Sequence, residues 1–122
     1  MSRWFYTPFI VLAATLGLAY VFGDPSRTAA QSFHAAQSLA PMWAWGTLFF
    51  AGAVAILAAV LSNRDKLIAA SLFIGGVMYS WWAVLFAVSA LTDETASLAG
   101  WAVHGFVSAT HYVTAWRVWV QT

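Results

Sequence analysis

Apolar positions fall in four long runs, residues 4–22, 42–61, 67–91 and 95–120. A helix rises ~1.5 Å per residue, so about 20 residues cross a hydrocarbon layer roughly 30 Å thick. Each run is long enough, and the pattern predicts an all-α membrane protein of four transmembrane helices. Two short polar turns, Ser62-Asn63-Arg64-Asp65-Lys66 and Thr92-Asp93-Glu94, separate the last three runs. Such tight turns make successive helices antiparallel neighbours, which predicts an antiparallel bundle. Pro8 stands near the start of the first run, where its missing N–H costs least.

Residues 25–40 are too polar to cross lipid and too regular for a loop. Asp24 can cap a helix and Pro25 suits its first position; Ala29, Ala30, Phe33, Ala36 and Ala40 then recur at helical spacing until Pro41. This predicts a short amphipathic interfacial helix between the first two spans. With an apolar face made mostly of alanine, it lies on the membrane surface or against the mouth of the bundle as a collar.

Composition agrees with lipid as the solvent: 62% of residues are hydrophobic and 7% charged, against about a quarter charged in soluble domains. The chain is one membrane domain, 1–122, and a net charge of +1 is too weak to gather nucleic acid. Arg3, Arg64, Lys66 and Arg117 fall on one side of the four-span plan, with Arg27, Asp24, Asp93 and Glu94 on the other. Basic residues in short loops stay cytoplasmic, so both termini are expected inside. The first run is longer than a signal-peptide core and lacks a small-residue cleavage site, which predicts a retained helix. Trp4, Tyr6, Trp43, Trp45, Trp116 and Trp119 sit where interfacial aromatic belts form, whereas Trp81 and Trp82 fall mid-span and are expected in helix packing.

The fourth run carries the candidate chemistry. Ser97, Gly100, His104, Ser108, His111 and Ala115 form a stripe on one helical face. An unpaired polar group in lipid is costly, so the stripe should face the bundle interior or a subunit interface. Its readings are packing with hydrogen bonds to neighbouring helices, a wet or titrating lumen, and haem ligation. Haem is not expected, because two-histidine ligation within one subunit needs facing helices, whereas His104 and His111 share one and His34 lies near the surface. Small residues at Ala51, Ala55 and Ala59, and at Gly75 and Gly76, are candidate helix-packing positions.

No carboxylate lies within a span and there is no cysteine, so acid–base pairs, a di-metal centre and thiolate chemistry have no residues to use. Asp93 and Glu94 read as a solvated turn that starts the fourth helix, and no catalytic residue, metal site or cofactor is expected.

The turn Asn63-Arg64-Asp65-Lys66 and the run Trp81-Trp82-Ala83-Val84-Leu85-Phe86-Ala87-Val88, in an alanine- and tryptophan-rich chain, resemble the small four-span membrane proteins of phages infecting actinobacteria. Some of these are regarded as holin-like. The resemblance implies a bacterial or phage inner membrane; the helix faces rich in small residues, with the stripe of the fourth run lining or gating a wet path, point to a self-associating, holin-like or pore-forming protein and a homo-oligomer. A structural or accessory subunit of a larger membrane complex is the alternative, and a haem- or quinone-binding anchor a more remote one.

Overall fold

The computed structural model describes residues 3–23, 33–92 and 99–122, all of whose regular elements are helices. A 3-10 turn, Arg3–Tyr6, leads into α1, Thr7–Phe22. Then come α2, His34–Leu39, and α3, Met42–Leu61. The last two are α4, Asp65–Thr92, and α5, Ala99–Val120. Local chemistry sets the boundaries. Pro8 occupies the first turn of α1, and Pro41 precedes α3, its carbonyl accepting the Ala44 and Trp45 N–H groups at 3.0 and 3.4 Å. After α3 the chain turns at Asn63, whose φ of 55° lies in the left-handed region that asparagine tolerates.

Among the described residues, three helical stretches are long and apolar enough to cross a membrane: Arg3–Phe22, Met42–Leu61 and Asp65–Thr92. The sequence pattern predicts four. The remaining helix, α5, has 22 residues, but His104, Ser108, Thr110, His111, Thr114 and Arg117 keep its average polarity too high to qualify on composition. The expected interfacial helix, 25–40, is found over His34–Leu39, and 25–32 lies outside the described residues.

Two helix pairs form the body. In one, α1 lies directly on α3 through Gly17 and Gly46: a Cβ on Gly17 would stand 2.8 Å from the Gly46 carbonyl oxygen and the Phe50 nitrogen. Only glycine permits backbones that close. In the other pair, α4 and α5 meet at Gly75 against His111, Gly76 against Tyr112 and Gly100 against Phe86, so contact positions fall along α4 as they rise along α5. Two buried clusters join the pairs. Tyr6, Ile56, Val60, Ile68, Leu72 and Val118 fill one end, and Trp45, Phe49, Tyr79, Trp82, Leu85 and Phe86 the other.

Arg3, Asn63, Asp65 and Gln121 line one cavity of about 50 Å³, which brings the N-terminal turn, the α3–α4 turn and the C-terminal end of α5 together. At the opposite end α2 folds inward as a collar. Ala36 is 1% exposed, the Ala35 N–H donates to Ser89 Oγ at 3.0 Å, and the Trp45 indole N–H donates to the Ala36 and Ala40 carbonyls at 2.9 and 3.2 Å. His34–Leu39 is thus packed against α3 and α4.

Candidate functional site

The stripe on α5 points inward. His104, Ser108 and Ala115 are buried and His111 is fully enclosed, with Gly100 half-buried beside Phe86; Ser97 lies outside the described residues. The mixed spacing of four, four, three and four from Gly100 to Ala115 explains the common face. Steps of four advance the face by about +40° and a step of three returns it by about 60°, so the stripe does not wind away.

Each of the described polar members, His104, Ser108 and His111, is tied to backbone. The Ser108 hydroxyl donates to the Gly76 carbonyl at 2.8 Å and also meets Ser80 Oγ, which in turn lies 3.1 Å from the Tyr112 hydroxyl. His104 Nδ1 stands 2.7 Å from the Gly100 carbonyl and His111 Nδ1 2.7 Å from the Val107 carbonyl. A carbonyl only accepts, so each bond places the ring proton on Nδ1 and leaves Nε2 as a bare acceptor.

Around the histidines is an aromatic core that the sequence did not indicate. The His104 ring stacks on Phe86 at 4.8 Å and Trp82 at 5.9 Å, and His111 lies 4.9 Å from Tyr79 and 4.7 Å from Phe9, centroid to centroid. Trp82 is the hub, stacked on Tyr20 at 5.1 Å and touching Phe33, Trp45 and Phe49 edge-on. The adjacent tryptophans thus part company, with Trp82 enclosed and Trp81 50% exposed. Their adjacency on a helix, ~100° apart, was the signal that one must face outward.

Among the described residues, three buried atoms in this core have no hydrogen-bond partner: His111 Nε2, Tyr79 Oη and Trp82 Nε1. His111 turns its Cδ2–Nε2 edge toward Gly75, where a Cβ would lie 3.0 Å from Cδ2 and 3.4 Å from Nε2. Glycine at 75 makes room for the imidazole. Gly75 and Gly76 lie against His111 and Tyr112 respectively. The alanine row divides: Ala59 is buried, whereas Ala51 and Ala55 are exposed.

Among the described residues, no three His, Asp or Glu side chains converge as metal ligands would. Asp93 and Glu94 lie outside the described residues, as does the His34 side chain. Comparison with protein-family models, curated proteins and solved structures found no match to this chain.

Proposed function

We propose that this chain is a four-span protein of a bacterial inner membrane that acts by associating laterally with other membrane helices, in the first instance copies of itself. The observation that carries this reading is the division of α3. Its Ala53, Ile56 and Ala59 positions are used in folding, while Thr47, Ala51 and Ala55 remain exposed on the outside at intervals of four. Small outward residues let a second helix approach closely in lipid, where packing rather than water drives association. The Thr47 hydroxyl is already satisfied by the Trp43 carbonyl at 2.8 Å, so this face presents no unpaired donor.

The fourth span is α5. Its polar residues are turned into the protein, and its outward residues, Trp101, Val103, Phe106, Val113 and Trp116, are apolar and more than half exposed. An average over the whole helix counts a polar face that lipid would not touch. The four spans then form an antiparallel bundle. The end that gathers Arg3, Arg64, Lys66 and Arg117 is the cytoplasmic one, with both termini there, because basic residues in short segments remain inside.

In this reading a holin-like pore, if the assembly conducts, is built between copies. Ser108 and both histidines are engaged inside one protomer and are not its lining. The absence of cysteine from all 122 residues gives a clean test. Single Ala51→Cys and Ala55→Cys chains, oxidised in native membranes, should form disulfide-linked products of twice the chain's mass, whereas Phe106→Cys on the far helix should not. Products of another mass would favour an accessory subunit bound to a different polypeptide. Equal cross-linking at all three positions would contradict a dedicated face.

A further inference from the structure

A groove of about 580 Å³ runs along the outside of α4 and α5 at the basic end of the molecule. Ala69, Ala70 and Ala115 make its floor, and Phe73, Tyr112, Trp116 and Trp119 its walls. The small floor is what opens it, since aromatic side chains stand on either side of a strip of alanine methyl groups. Lys66 belongs to the same face of α4 as Ala69, Ala70 and Phe73, and its ammonium lies 5.5 Å from the centre of the Trp119 ring, at the mouth of the groove. Asp65, the neighbouring carboxylate, lines the separate cavity shared with Arg3 and so does not occupy this mouth.

We propose that this groove binds one anionic phospholipid of the leaflet facing the basic end, with an acyl chain along the alanine floor and the phosphate at Lys66. The inference rests on the membrane-spanning reading above. Charge selects the occupant. An apolar trough beside a cation held over an indole ring suits a molecule with an apolar tail and an anionic head, and Arg64 and Arg117 add positive charge at that end. A second protein helix would fill the trough but leave the Lys66 charge unanswered, and a zwitterionic lipid would answer it only in part.

Native mass spectrometry of the full chain, released from nanodiscs of equal phosphatidylglycerol and phosphatidylcholine, tests this. The wild-type chain should retain one phosphatidylglycerol in preference to phosphatidylcholine. One lysine at a membrane surface corresponds to a preference of about fivefold, which Lys66→Gln should remove and Lys66→Arg should keep. Ala70→Phe, at an exposed floor position, should expel either lipid while the protein stays folded by circular dichroism. A lipid ratio unchanged by Lys66→Gln, lipid retention unaffected by Ala70→Phe, or loss of a dimer in place of lipid would each overturn the proposal. Extraction of the same membranes with alkaline carbonate reports separately on the membrane-spanning reading: a chain released by carbonate sinks that reading itself, whereas one retained without lipid preference sinks only the groove.

Discussion

Ser108 on α5 and Tyr79 on α4 are both buried but differ in what they contribute. The Ser108 hydroxyl is shared among the Gly76 carbonyl and Ser80, and its loss leaves those groups short of a partner inside a low-dielectric core. Tyr79 Oη is buried and has no partner among the described residues, so its hydroxyl adds desolvation cost and no hydrogen bond there. Ser108→Ala should therefore destabilise the folded chain by about 0.5–1.5 kcal/mol, while Tyr79→Phe should be neutral or stabilising. Reversible unfolding in mixed micelles distinguishes them. A larger loss for Tyr79→Phe than for Ser108→Ala would show that the phenol has a partner and would reverse the assignment. The inward direction of the Ser108 stripe was legible in the sequence because polar atoms in lipid must turn away from it. Its partners were not, since they depend on how α4 is rotated, and nothing in the order of residues fixes that Gly75 rather than Ser71 meets His111.

At the scale of elements, punctuation decided what could be read. Pro41 and the Ser62-Asn63 turn bracket α3, and the expected span 42–61 coincides with Met42–Leu61. The third span extends past its expected 67–91 to Asp65–Thr92, because Asp65 suits a helix N-terminus and the Thr92 hydroxyl bonds back to the Val88 carbonyl at 2.8 Å. The Ala51, Ala55, Ala59 row looked like one face, but strict fourfold spacing drifts by about 40° per step, enough to carry it from outside to inside. The Gly17–Gly46 crossing was hidden, because each helix supplies a single glycine at the contact and only the pairing gives it meaning. The collar α2 is held chiefly by side chains of α3 and α4. Removing the Trp45 indole N–H with Trp45→Phe should raise amide exchange at 36–40 about two- to tenfold, for a lost bond of about 0.5–1.5 kcal/mol, and leave exchange in the middle of α4 unchanged. Equal acceleration in both would mean that the collar and the bundle open together.

For the whole molecule, one arrangement accounts for the polar stripe, the tryptophan distribution and the charge asymmetry. On α5, His104 Nδ1, His111 Nδ1 and the Ser108 hydroxyl are hydrogen-bonded within the chain, Trp82 organises the core, and Trp4, Trp43, Trp101, Trp116 and Trp119 remain at least half exposed on the outside. The proposed lateral association uses the small exposed positions Thr47, Ala51 and Ala55 of α3. The claim on which this depends is that the stripe of α5 is dry. It is tested by a single Ser108→Cys chain in intact membranes, treated with a charged, water-soluble thiol reagent. Ser108→Cys should not be labelled until the protein is denatured, whereas an Asn63→Cys control at the polar turn should be labelled promptly. Prompt labelling of Ser108→Cys in the native membrane would show water at the histidine stripe and would contradict the dry core, placing a wet path through the protein in its stead.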